Sequence, residues 1–285
     1  AVTLEAALSH ELTLHVLGAA ECHDTNSGDN RTCDLFLPSG RIGAELSLPS
    51  VTLLANVGRY ARVPTLGELY GVSGVVRGNA NLAPEQGFTG EVGVRAKIGR
   101  QAPLAGFAVD AFAYVRAADD LIAYLRAAQG YVAPYNVGAA RVLGAEIALR
   151  APLLSFLRFD MSATLQDPRD TSAGRTTVND ILPFRSRLIA TSALSARSSF
   201  DEAWPLRHLG AVASFTYQSS RYVDPAGLGV IDEQGSLDVS ADATWLDDHL
   251  TTRVRVADIL NAQRTDVIGF PLPGRSLYVS AEVTW

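Results

Sequence analysis

The chain has 285 residues, 47% hydrophobic and 19% charged, with a formal net charge of -6 and a mean hydropathy of +0.11. That mild acidity, with no basic cluster against it, excludes a nucleic-acid partner. No apolar run is long enough for a membrane-crossing helix. The chain starts at Ala1 without a charged-then-apolar leader, so its N-terminal part is expected to have been removed or to lie outside this sequence.

Apolar and polar residues alternate with period two wherever the chain is not rich in Gly, Pro, Asp and Asn. In chain order, Val92, Val94, Ala96 and Ile98 alternate with Glu91, Arg95 and Lys97. Leu157, Phe159, Met161, Ala163 and Leu165 alternate with Arg158, Asp160, Ser162, Thr164 and Gln166. The pattern returns at Ala213–Tyr217, at Leu237–Trp245 and at Leu250–Val256. It closes the chain as Leu277, Val279, Ala281, Val283 and Trp285. Each is a strand with one apolar and one polar face, and helical spacing fits none of them as well.

The connections alternate in length. Short ones fall at 9–11, 49–50, 100–103, 151–153, 199–207 and 247–249, and long polar ones at 21–40, 63–86, 118–136, 167–183, 219–235 and 260–274. They predict an all-β chain of roughly thirteen antiparallel strands, each about ten residues long, enough to cross a hydrocarbon layer at a tilt. Short turns on one rim and long loops on the other are what an outer-membrane β-barrel requires, and in lipid such a sheet must close. A soluble β-sandwich also alternates, but its loops need not sort by length in this rhythm. A smaller self-closing barrel of about 12 or 14 strands and a passive diffusion pore are the alternative readings. Inward charges such as Glu146, Arg253, Arg255 and Glu282 suit a pore and a plugged barrel alike.

The stretch RYARVPTLGELYGVSGVVRGNANLAPEQGFTGEVG, residues 59–93, carries Arg62, Pro64, Thr65, Glu68, Leu69 and Tyr70, then Gly78, Asn79, Asn81, Leu82, Pro84 and Glu85. It resembles the strand–loop–strand segment of TonB-dependent outer-membrane receptors, R-x-P-t-x-x-E-L-Y followed by G-N-x-N-L-x-P-E. YNVGAARVLGAEIAL (135–149) looks like the family's N-x-G strand, and residues 256–285 look like its last hairpin. The nearest flavour is the vitamin B12 and catecholate-siderophore branch. The resemblance implies a barrel of about 22 strands whose lumen is filled by a plug. Residues 1–285 then form the C-terminal part of the barrel, without the plug or about nine preceding strands, or one half of a split receptor. It further implies a TonB-energised receptor for a scarce bulky nutrient, a ferric siderophore or cobalamin, in the bacterial outer membrane. TonB (through the plug), the barrel-assembly machinery, outer-membrane lipid and the N-terminal half are its expected partners. The terminal aromatic Trp285 resembles the assembly signal of such barrels and also suits an interfacial girdle.

Ligand contact is expected at the long-loop rim, from Tyr70, Arg77, Tyr131, Tyr135, Tyr222 and Phe270, since aromatics and arginines grip anionic or ring-bearing chelates. Arg62, Glu68 and Glu85 are expected to tie the loop base by charge-assisted hydrogen bonds. Cys22 and Cys33 bracket the first long loop, where a disulfide, two free thiols and a metal pair are the readings, the disulfide favoured outside the cytosol. Between them Asp24, Asn26, Asp29 and Asn30 form an oxygen-rich run that breaks the calcium-loop pattern and reads best as a solvated loop. The five histidines do not converge, no zinc spacing and no G-x-S-x-G occurs, and neither an enzyme nor a cofactor is expected.

Overall fold

The alternation becomes register in a single antiparallel sheet. The computed structural model describes residues 2–6, 10–23, 35–97, 106–127, 129–174, 180–201 and 204–285. In chain order the elements are β1 (Val2–Ala6), β2 (His10–His23), β3 (Leu35–Ser47), β4 (Val51–Arg62), α1 (Leu66–Tyr70), β5 (Glu85–Lys97), β6 (Ala108–Arg126), β7 (Val132–Leu154), β8 (Leu157–Asp170), β9 (Leu188–Ser199), β10 (Leu206–Gln218), β11 (Arg221–Tyr222), β12 (Val230–Ile231), β13 (Gln234–Trp245), β14 (Leu250–Ala257), β15 (Thr265–Val267), β16 (Phe270–Pro271) and β17 (Ser276–Val283). Thirteen of them form one sheet in chain order, while β11–β12 and β15–β16 are small hairpins inside loops. Among the described residues β1 and β17 are the two ends of that sheet, each paired on one side.

Register explains why one face is wet and the other dry. A lane of directly opposed residues runs Ser47, Thr52, Arg95, Asp110, Ala148, Ser162, Thr191, Thr216, Ser236 from β3 to β13. The adjacent lane runs Leu46, Leu53, Val94, Ala111, Ile147, Ala163, Ala190, Tyr217, Gly235. Because successive side chains point to opposite faces, a one-residue slip anywhere would invert every residue beyond it. The apolar lane has no protein over it, and Leu53 and Ile147 stand exposed. This is the face an outer-membrane barrel turns to lipid, with the polar face lining the lumen.

The connections sort to two rims. Short ones are residues 48–50, 155–156, 200–205 and 246–249, and long ones are 63–84, 171–187, 219–233 and 258–275. Three expected boundaries are corrected. The short turn expected at 151–153 falls at 155–156, because β7 continues to Leu154. The long loop expected at 118–136 is mostly strand. There β6 and β7 pair up to Arg126 opposite Val132, leaving a tip at 127–131. Alternation disappears in this stretch because both faces are covered: Leu121, Ile122 and Ala123 are buried in succession, the behaviour of a strand packed on two sides. The doubled Asp119–Asp120 also reads as a turn, and Asp120, at φ 52, interrupts the ladder without ending it. The first long loop, expected at 21–40, is shortened at both ends, since β2 and β3 pair as far as His23 opposite Leu35.

Inside the lumen, aromatic rings lie flat across glycines of the next strand. Ideal Cβ atoms on Gly93 and Gly144 would fall 2.0 Å from the Phe112 ring and 2.3 Å from the Tyr114 ring. Glycine at these two sites is a packing requirement, not a backbone one. All three tryptophans sit at the short-turn rim: Trp204 in a turn, Trp245 at the end of β13 and Trp285 just past β17.

Candidate functional site at the long-loop rim

The rim is organised around one buried carboxylate. Glu85 opens β5 and its side chain is 1% exposed. Its oxygens accept from Tyr60 Oη at 2.8 Å, from Arg62 Nη2 at 3.4 Å, from the Ile122 backbone N–H at 3.2 Å, and from Arg116 Nη2. Arg116 Nε also donates to Tyr60 Oη at 2.7 Å, with its guanidinium 4.6 Å from the centre of the Tyr60 ring. A carboxylate this deep requires such pairing, and removal of one partner strands the charge.

Arg62 reaches past Glu85 to Glu68, meeting both oxygens at 3.1 and 3.0 Å. Glu68 lies in α1, whose start is a capping box: Glu68 N–H donates to Thr65 Oγ1, and Thr65 N–H to Glu68 Oε2 at 2.8 Å. The T-x-x-E spacing of Thr65 and Glu68 is the signal for this cap. Burial alone would raise the Glu68 pKa, but the Thr65 N–H and the Arg62 guanidinium outweigh it and hold the carboxyl below its usual value. The expected tie between Arg62, Glu68 and Glu85 is therefore present. Tyr60 and Arg116, which complete it, carried no motif signal, because only the register places them opposite Glu85.

The 63–84 loop then docks on the projecting β6–β7 hairpin. Val132 N–H donates to Val75 O at 2.7 Å, and Arg77 N–H to Val132 O at 2.9 Å. Asn136 clamps the loop's end: its Oδ1 accepts from Ala83 N–H at 2.9 Å while its Nδ2 donates to Ala83 O at 3.0 Å and to Asp120 O at 2.7 Å. The Arg77 guanidinium stacks 4.2 Å from the centre of the Tyr131 ring, so two of the six expected contact residues meet. Tyr70 ends α1 and is exposed, as is Phe270 on β16. Tyr135 packs with Tyr60 against a rim core of Ala118, Leu121, Ala123, Val137, Ala140 and Leu182. Tyr222, half-buried, accepts at its backbone oxygen from Phe184 N–H at 2.7 Å.

That last bond is part of a wider interlock. Arg126 N–H donates to Val223 O at 3.1 Å, tying the β6 end to the 219–233 loop. Arg221 Nη2, with its side chain buried, reaches Thr265 O and Asp266 at 3.2 Å in the last long loop. Four long connections and one hairpin tip are thus joined into one roof. Cys22 lies in β2, but Cys33, the proposed other half of the pair, and the oxygen-rich run 24–30 lie outside the described residues. Trp285 is fully exposed at the opposite rim.

Comparison with known proteins fits this architecture. A family model described as "TonB dependent receptor-like, beta-barrel" matches residues 16–259. Among solved structures, the "Copper transporter OprC" superposes with a TM-score of 0.66 at 19% identity, over 99% of this chain and 46% of its own. BauA, the ferric preacinetobactin receptor from Acinetobacter baumannii, matches with a TM-score of 0.66 at 16% identity, over 98% and 41%. The ferric-catecholate import receptor Fiu from K12 E. coli matches with 0.65 at 15%, over 98% and 43%. The chain spans less than half the length of each of these structures.

Proposed function

Because this chain belongs to the TonB-dependent receptor β-barrel family, a family of outer-membrane transport receptors rather than enzymes, we propose that it is the C-terminal wall and outer roof of a receptor that imports a ferric siderophore. The observation that carries this reading is the roof itself: loops from five connections, fastened to one another and presenting Tyr70, Arg77, Tyr131 and Phe270 at the rim. A diffusion pore has no use for such a cover, whereas a capture site needs a rigid aromatic and cationic surface.

In this reading residues 1–285 are the C-terminal portion of the barrel, and the two unpaired sheet edges are met by preceding strands of the same receptor, since open edges are not tolerated in lipid. A plug within the completed lumen contacts TonB, which supplies the energy. The barrel-assembly machinery takes the β17 end with Trp285. Two of the three solved relatives are named for iron chelates, one for copper and none for cobalamin, so an iron chelate leads. The test is uptake of radiolabelled ferric catecholate, ferric hydroxamate, cobalamin and copper by cells with and without the gene, each with TonB intact or deleted. Gene- and TonB-dependent uptake of a ferric chelate is expected. Equal uptake without TonB would leave a passive pore.

A further inference from the structure

One lane of the lipid-facing wall breaks its apolar rule. On the face that carries Leu53 and Ile147, followed toward the long loops, the register opposes Arg59, Phe88, Ala117, Arg141 and Arg169 from β4 to β8. One rung lower the same face carries Val57, Gly90, Val115, Leu143 and Asp167. Beside the short turns it carries Val51, Ala96, Val109, Leu149 and Met161, with no charge. From Arg59 back to Val51 is about 26 Å of strand at ~3.3 Å per residue, or about 20 Å along the axis of a barrel whose strands tilt near 40°. The apolar band of such a wall is about 25 Å tall. The arginine lane therefore lies at the edge of that band, within reach of the headgroups for a long side chain that can stretch toward water.

At the β7–β8 end of the lane positive charge is crowded. Arg141 stands directly opposite Arg169, and like charges in that position repel. Arg169 Nε donates to both oxygens of Asp167, at 2.8 and 3.0 Å, and Arg187 Nη2 reaches the same carboxylate at 3.0 Å. The charge of Asp180 also acts on Arg169. Asp167 thereby gathers two guanidiniums beside a third. Arg141 itself is exposed and has no hydrogen bond or ion pair among the described residues, Asp119 on the next rung included. Below the three arginines Val115 and Leu143 stand exposed on the same face. Cations over a bare apolar wall, at the depth of the headgroups, complement an anion with hydrocarbon attached. Guanidiniums pair phosphate oxygens through parallel N–H donors.

We propose that Arg141, Arg169 and Arg187 form a seat on the outside of the barrel for the phosphate of a lipid in the outer leaflet, its acyl chains lying along the apolar lanes below. The seat does not depend on what the receptor imports. It requires only that this face of the sheet meets lipid and that the long loops lie on the extracellular side.

The test uses the intact receptor, delipidated in dodecyl maltoside, as wild type, Arg141→Gln, Arg141→Lys and Arg253→Gln. The last removes the same charge from the lumen face. Native mass spectrometry measures binding of dioleoyl phosphatidic acid, dioleoyl phosphatidylcholine and inorganic phosphate, with the Tm taken before and after each addition. Wild type should bind phosphatidic acid more tightly than phosphatidylcholine, and equimolar inorganic phosphate should not displace it. Arg141→Gln should bind phosphatidic acid about tenfold more weakly, the loss of one charge-assisted contact. Arg141→Lys should recover part of that loss, and Arg253→Gln should match wild type. Without lipid, the Tm of Arg141→Gln should equal or exceed that of wild type, because the repelling pair is gone. Phosphatidic acid should then raise the wild-type Tm more than that of Arg141→Gln. Equal binding of the two lipids by wild type, equal affinity of wild type and Arg141→Gln, an equal loss in Arg253→Gln, or a lower lipid-free Tm in Arg141→Gln would each overturn the seat. Displacement by equimolar inorganic phosphate would make it a free-phosphate site and overturn the lipid assignment.

Discussion

At the short-turn rim, strands pass into one another through connections such as 155–156 and 246–249, trimmed by polar pairs: Arg207 with Asp247, and His249 Nδ1 with Thr284 O at 2.8 Å. At the long-loop rim the same strands end in a sealed carboxylate, a capped helix, a small apolar core and loops bonded to loops. The difference teaches that the middle of each strand is specified by the solvent on its two faces, whereas the ends are specified by what they must do. One end only has to turn the chain back, and the other has to hold a shape.

Breaking the comparison starts with Glu85. Glu85→Ala leaves Arg62 and Arg116 without their shared acceptor and is expected to destabilise by about 3–5 kcal/mol, read by thermal unfolding in detergent. Arg207→Ala at the other rim, whose partner Asp247 is 70% exposed, should change the same measurement by less than about 1 kcal/mol. Similar losses at both would refute the asymmetry. Asn136→Ala comes next, at roughly 2 kcal/mol for its three backbone bonds, with hydrogen exchange rising at Ala83 before any change at the short turns.

Acidification should act on one rim first. The Glu68 carboxyl has its pKa lowered in the folded state, so its contribution is fully present above the unfolded value of about 4.3 and is lost as pH falls through the folded value. Exchange protection of residues 66–71 should therefore fall in acid, and Glu68→Gln should be less protected at neutral pH and show no such fall. The smallest effect at the roof belongs to Arg77→Ala. Losing the stack on Tyr131 should cost about 0.5–1 kcal/mol and show chiefly as faster proteolysis within 72–76.

The strand count and the polarity of each face were legible because lipid and lumen impose opposite demands on neighbouring residues, and lanes such as Thr52–Arg95–Asp110 beside Leu53–Val94–Ala111 write that demand into a single strand. The Arg62–Glu68–Glu85 tie was legible because all three residues fall within one short motif. The outer half of the β6–β7 hairpin was not, since Leu121–Ala123 are covered on both sides and carry no alternation to read. Arg116 and Tyr60 were hidden for another reason. Each is distant in sequence from Glu85, the group it meets, and only pairing across strands brings it there.

The placement of the tryptophans has an optical consequence. With indoles confined to the turn side and none in the roof, the ultraviolet emission of residues 1–285 is a one-ended gauge. Quenching by lipids brominated at graded depths measures how far the Trp204–Trp245 side is immersed, while rearrangement of the far side leaves the signal dark. A single tryptophan introduced at Phe270 would give the roof its own lamp.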